Sequence, residues 1–286
     1  MFLGLHVSIA GGIDKAPERA GVLGCECFQM FTRSPHGGAY NIKFSKETIA
    51  KFKGNCKKFQ LTDYYIHCPY YINLASGANK IFYGSVASIK KEIEIAELIS
   101  AKGVIVHLGS AKDLGEREAL QKTIKGLNLV LAESRTPLES KRSAGLLIEI
   151  SAGAGLVMGD SFDEIAEIIK GVKNKKRIGV CFDTAHSFES GYDLRTPERA
   201  KKVFAEFDEK IGLDKLELIH CNDSKSDFNS HLDRHEHIGE GKIGLPGLQA
   251  VVDFAKSRNI NIIAETPYGN DGDDRRNLEK LKGMRG

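Results

Sequence analysis

Eight short apolar runs, each followed by a stretch of helical periodicity, recur along this chain and constrain it more than any other feature. Such alternation implies a parallel sheet covered by helices. The candidate strands end near His6, Phe31, His67, His107, Glu149, Asp183, His220 and Glu265. Runs such as Val104–Val106, Leu146–Ile148 and Ile260–Ala264 are nearly continuous in apolar residues, as strands buried on both faces are. Successive ends lie roughly 25 to 45 residues apart, about one βα unit with its loop. Eight such units favour a closed barrel over an open sheet. The expected fold is therefore α/β, a (β/α)8 TIM barrel forming a single domain over residues 1–286.

The helical stretches carry their own punctuation. Ala200, Val203, Phe204, Phe207 and Ile211 form a stripe, with Thr196 before it as N-cap and Pro197 at the first helical position. Ser161-Phe-Asp-Glu164 has the form of a capping box ahead of Ile165, Ile168 and Ile169. Two longer loops, about 68 to 83 and about 221 to 245, interrupt the rhythm, and loops of that length usually carry function. No internal repeat, low-complexity tract or linker is evident.

At 286 residues, with 41% hydrophobic and 28% charged, the chain has the makeup of a soluble globular protein able to bury a barrel core. No apolar run approaches the ~20 residues of a membrane helix, and the N-terminus lacks the basic start and cleavage site of a secretory signal. A cytoplasmic protein without membrane association is expected. A net charge of +3 is too small to argue for nucleic acid by itself. The six cysteines (25, 27, 56, 68, 181 and 221) form no CxxC and read as buried, reduced thiols. Cys25 and Cys27 alternate, so they are expected to share a strand face. Cys68 and Cys221 each follow a candidate ligand histidine and are minor candidates for metal contact.

Active sites of such barrels lie at the C-terminal strand ends. His67, His107, Glu149, Asp183, His220 and Glu265 all end candidate strands and would converge on one rim. His186 follows Asp183 by three residues and reaches the same rim. In the second long loop, Asp233 and His235 stand at alternate positions, so an extended backbone aims both one way, at a single ion. Four crowded carboxylates would repel one another unless cations compensate them. Imidazole with carboxylate suits Zn²⁺, with Mn²⁺ or Fe²⁺ as substitutes. Nine ligands exceed the needs of two ions with open positions and suggest three. Three dications against four carboxylates leave about two positive charges, which attracts a phosphodiester.

These residues resemble the endonuclease IV family. The resemblance rests on Ile219-His-Cys-Asn-Asp-Ser-Lys225, Asp233-Arg-His-Glu-His-Ile-Gly-Glu-Gly241 and Cys181-Phe-Asp-Thr-Ala-His-Ser-Phe-Glu-Ser-Gly-Tyr-Asp-Leu194. It extends to His67 with Pro69–Leu74, His107-Leu-Gly109, Glu149 with Ala152 and Gly153, Glu265-Thr-Pro267, and Gly4–Ser8 with Gly11 and Gly12. It covers nearly the whole chain. It implies a (β/α)8 barrel with three zinc ions: one on His67, His107 and Glu149, a second bridged by Glu149 and held by Asp183, His220 and Glu265, a third on His186, Asp233 and His235. It further implies hydrolysis of the phosphodiester 5′ to abasic sites in double-stranded DNA, by water and without a covalent intermediate, leaving a 3′-hydroxyl and a 5′-deoxyribose phosphate. Glu149, and with it Glu265, is assigned to the reaction itself. Tyr70 matches an aromatic that packs into the distorted duplex, and a monomer is the family-like expectation.

Lys225, Arg234 and Lys242, beside the ligand candidates, are candidate phosphate contacts. Family members usually carry an arginine where this chain has His36, with Arg33 nearby, and both are taken as candidate DNA contacts. Ile150 replaces an amide that usually follows the bridging glutamate. The rival readings are a sugar isomerase or epimerase on a similar barrel, a non-catalytic DNA-binding or metal-storage barrel, and a related nuclease for other damage. The first needs fewer ions and leaves His186, Asp233 and His235 without a task. His6, His231 and His237 are expected to support the site without holding metal.

Overall fold

The computed structural model describes residues 1–37, 43–132, 144–267 and 271–286. Its strands are β1 (Leu3–His6), β2 (Cys27–Met30), β3 (Asp63–His67), β4 (Gly103–Val106), β5 (Gly145–Glu149), β6 (Ile178–Asp183), β7 (Leu216–His220) and β8 (Asn261–Ala264). All pair in parallel with their neighbours, and β1 closes the barrel on β8 through Leu3 opposite Ile262. Helices α1 (Ala16–Leu23), α2 (Lys46–Lys58), α3 (Asn79–Ile99), α4 (Glu116–Leu131), α5 (Phe162–Gly171), α7 (Pro197–Lys210), α8 (Gly244–Arg258) and α9 (Asp271–Arg285) alternate with them. A short extra helix, α6 (Thr184–Glu189), follows β6 directly. The expected (β/α)8 barrel is what forms. No helix among the described residues is long and apolar enough to cross a membrane.

Strand periodicity aligns the rim. Cys27, Tyr65, Ile105, Leu147, Cys181, Leu218 and Ile263 fill the barrel interior as a cluster separate from the larger core between strands and helices. Two residues beyond each stand Gln29, His67, His107, Glu149, Asp183, His220 and Glu265, which the period of two puts on the same inner face. Where the expected strand ends fell on Phe31, His107 and Glu265, the ladder stops one residue earlier. Gly4 lets β1 approach β2: a Cβ there would lie 1.9 Å from the Cys27 carbonyl oxygen.

Outside, Phe182 of β6 meets Phe204 and Phe207 of α7 and Phe162 of α5, with ring centroids 5.1–6.3 Å apart. That apolar contact fixes β6, whose last residue is Asp183. Thr196 caps α7 through the Arg199 amide with Pro197 at the first helical position, and Ala200, Val203, Phe204 and Phe207 are its buried face, as expected. At α5, Ser161 caps the Glu164 amide, but the Glu164 carboxylate accepts from Gly159 rather than returning to Ser161, so the capping box is half formed.

All six cysteines are free and buried as expected, but two narrower expectations need correction. Cys25 does not share a strand face with Cys27. It follows Gly24, the left-handed cap of α1, its N–H returns to the Ala20 carbonyl, and its side chain joins the outer core. Cys68 and Cys221 have the opposite parity to their ligand neighbours and lie in the same outer layer, where burial pushes both thiols up. Neither belongs to a donor group able to hold metal.

Candidate metal centre

Three overlapping donor groups form at the C-terminal rim, the donor atoms of each lying within 4.8 Å of one another: His67, His107 and Glu149; Glu149, Asp183, His220 and Glu265; and Asp183, His186 and His235. Glu149 is the hub. One carboxylate oxygen lies 2.9 Å from His67 Nε2 and 3.3 Å from His107 Nε2; the other lies 2.9 Å from His220 Nδ1 and 3.5 Å from His186 Nδ1. Burial would push this carboxyl up, yet His107 and His220 foremost hold it well below the usual range.

The third group comes from two elements. Asp183 caps α6 by accepting from the His186 amide at 2.8 Å, which fixes His186 one turn away. The second long loop folds into a small hairpin, Asp223–Ser224 against His235–Glu236. Asp233 at its edge sets a carboxylate oxygen 3.3 Å from His186 Nε2 and 3.9 Å from His235 Nε2. Asp183 thus joins both the second and third groups, a sharing the sequence did not suggest.

The donor set fits divalent metal on its own geometry. His186 Nδ1 bonds the Ile150 carbonyl at 3.0 Å and His235 Nδ1 the Glu265 carbonyl at 2.8 Å. Their Nε2 atoms therefore face each other, 3.2 Å apart, with Asp233 beside them. Two ring nitrogens and a carboxylate so placed form a donor set that a divalent cation would satisfy. Burial would lower the His186 pKa, but Asp183 and Asp233 hold it well above the ordinary value, so these carboxylates draw a proton where no cation is bound.

Several further polar side chains bond the ligands. Buried Gln29 meets His220 Nε2 through Oε1 at 2.8 Å and donates through Nε2 to Glu265. Asn222 donates to Asp183 Oδ2 at 2.7 Å and accepts from the Glu265 amide at 2.6 Å. His6 Nδ1 lies 3.0 Å from Glu265 Oε1. His237 bonds Asn277, and His231 lies outside the donor groups. For Gln29 a signal existed: it stands two residues after the inward Cys27, like each ligand in its own strand. Ile150 points into the outer core, so its side chain leaves the centre untouched, while its carbonyl orients His186.

Tyr70 is 58% exposed and stands between two cavities of about 440 and 450 Å³, one reaching His235 and Glu265, the other His107, His186 and Asp233. Its ring lies 5.4 Å from Phe31 and 5.8 Å from His36, which is exposed. Lys225, Arg234 and Lys242 are exposed on and beside the hairpin, with Lys242 3.4 Å from exposed Asp227.

Arg33 departs from its expected place at the DNA surface. Its side chain is buried, and its Nε lies 2.7 Å from Glu92 on α3, a carboxylate that Thr32 also bonds at 2.6 Å. The guanidinium thus braces the loop carrying His36. Arg33→Ala is expected to cost about 3–5 kcal/mol by leaving Glu92 buried without its cation. A urea midpoint equal to that of the parent would contradict this.

Fold and rim together define a (β/α)8 barrel with three overlapping donor groups at the C-terminal ends of its strands. The profile of a family described as a xylose isomerase-like TIM barrel matches residues 17–284. The chain is 39% identical to a protein named probable endonuclease 4 of Nitrosopumilus maritimus over 99% of each chain. It is 41% identical to one so named of Halothermothrix orenii, over 93% of this chain and 94% of that one. Among solved structures it resembles endonuclease IV from Thermus thermophilus, with a TM-score of 0.84, 30% identity, and 99% and 98% of the two chains covered. A D-tagatose 3-epimerase-like protein, at 20% identity and a TM-score of 0.73, shares the fold alone. The chain belongs to the endonuclease IV family.

Proposed function

We propose that this protein is a DNA-repair endonuclease that hydrolyses the phosphodiester 5′ to abasic sites in duplex DNA with three Zn²⁺ ions, leaving a 3′-hydroxyl and a 5′-deoxyribose phosphate. The observation that carries the reading is the convergence of His186 Nε2, His235 Nε2 and Asp233 beside two further donor groups that share Glu149, with Asp183 common to the second and third groups. His67, His107 and Glu149 would hold one ion; Glu149, Asp183, His220 and Glu265 a second; His186, His235 and Asp233, with Asp183 alongside, the third. Bound there, divalent zinc would lower the pKa of water and neutralise charge on the phosphodiester.

The protein's own groups supply orientation. Carbonyls of Cys68, Ile150 and Glu265 fix the rings of His67, His186 and His235. Glu149 is fully buried with both oxygens turned to histidines, whereas the Glu265 side chain is 16% exposed and lines a cavity. Both carboxylates would act on the reacting water through the ions they hold, Glu265 from the side open to the cavity.

An abasic nucleotide leaves the stack cheaply because no base is unstacked. The two cavities beside Tyr70 offer it room, and the tyrosine ring packs into the distorted duplex. His36 lies next to that ring, while Lys225, Arg234 and Lys242 approach the phosphates. Six free, buried cysteines suit the reducing cytoplasm. Tyr70→Ala is expected to raise KM for abasic duplex about tenfold or more, the worth of one aromatic stacking contact, with kcat changed far less. Equal losses in kcat and none in KM would remove Tyr70 from recognition.

The function itself is tested by the ends produced from a duplex labelled on the abasic strand. Cleavage 5′ to the lesion should yield a terminus that a polymerase extends without further processing. A product that resists extension, or cleavage on the 3′ side, would contradict the proposed reaction.

A further inference from the structure

One buried acid near the centre has no part in the reading so far. Glu189 ends α6, is fully buried, and forms no ion pair among the described residues. One oxygen accepts from the Ser224 hydroxyl at 2.7 Å and from the Arg234 amide at 3.2 Å; the other has no hydrogen-bond partner. Burial pushes this carboxyl up to about 7. A buried acid costs stability unless its bonds achieve something in return.

Its bonds join the two elements that build the third donor group. The Arg234 amide belongs to the peptide linking Asp233 to the residue before His235. Ser224 stands opposite His235 in the hairpin. The Glu189 carbonyl also accepts from the His231 amide at 2.9 Å, so both its main chain and its side chain hold this loop. At the other end of α6 stand Asp183 and His186.

We propose that Glu189 is a positioning residue that clamps the hairpin to the end of α6 and so sets Asp233 and His235 at ligand distance from Asp183 and His186. The proposal rests on the three-ion reading above and assigns Glu189 to one ion only. The clamp needs an acceptor at Oε1 and no negative charge, so glutamine can supply it and alanine cannot.

The test measures zinc affinity on the full chain, with Zn²⁺ competed by a chromophoric chelator and the fold followed by circular dichroism. Glu189→Ala is expected to weaken one of three zinc equivalents about 10- to 100-fold, the usual effect of losing a group that orients metal ligands. Glu189→Gln should restore it, and Ser224→Ala, which removes one of the two side-chain bonds, should fall between. A folded Glu189→Ala protein with all three equivalents as tight as the parent would overturn the proposal. So would equal weakening of all three, or failure of glutamine to rescue. If Glu189→Ala does not fold, Ser224→Ala decides: a weakened single equivalent supports the clamp, and parent-like affinity overturns it. A parent that holds fewer than three equivalents would instead contradict the three-ion reading.

Discussion

Replacing Glu149 by alanine is expected to lower incision at abasic DNA by about 10³-fold or more, the loss of several kcal/mol of transition-state stabilisation. Glu149 belongs to two of the three donor groups and approaches four histidines, so its removal would strip ligand atoms from two proposed ion sites at once. The fold should survive, because the interior cluster below and the strand–helix core around it do not depend on this side chain. Glu149→Gln should be nearly as damaging despite its matched shape, since an amide brings no charge to a bridging position. Zinc content measured beside the rate distinguishes causes: loss of ions with loss of rate is expected. Either variant cutting at the parent rate would remove Glu149 from the centre of the mechanism.

Stripping the metal should abolish incision and also lower the melting temperature. Each ion present at a thousandfold excess over its Kd stabilises the native state by about 4 kcal/mol, which for a chain of this size is a fall of roughly 10 °C for each ion removed. Buried Glu149 and Asp183, with Glu265 beside them, would then depend on protonated histidines for compensation. Burial lowers the His220 pKa and its neighbours raise it, leaving it well above the ordinary value, as at His186. A chelated protein should therefore stay folded and regain both melting temperature and activity on zinc addition. Calorimetry before and after chelation checks this, and an unchanged melting temperature with activity lost would place the ions outside the buried centre.

The barrel was legible because eight nearly continuous apolar runs alternate with helical stretches, most of the runs ending in a polar residue. Their place at strand ends, which such a barrel gathers on one rim, made His67, His107, Glu149, Asp183, His220 and Glu265 stand out without coordinates. His186 was legible as three residues past a strand end, close enough to reach the same rim, and Asp233 with His235 as alternate residues of an extended loop. What escaped depends on partners distant in the chain. Arg33 looked like a surface cation because nothing in its surroundings in sequence announces Glu92, which meets it from α3. Glu189 reads as an ordinary helix-end acid until the hairpin folds back over it. Asn222 and Gln29 are polar groups whose worth lies only in the ligands they turn. Cys25 misled because a helix cap and a strand start can both carry an apolar residue, and only the Gly24 backbone separates them.

The most direct measurement is a zinc titration of metal-free protein, with incision of a labelled duplex carrying one abasic analogue read at each step and Mg²⁺ omitted. Cleavage on the 5′ side is expected only as the third equivalent binds, and His235→Ala should not cut at any zinc level that saturates the parent. Full activity at one equivalent, or none from folded protein carrying three, would contradict a trinuclear abasic-site endonuclease.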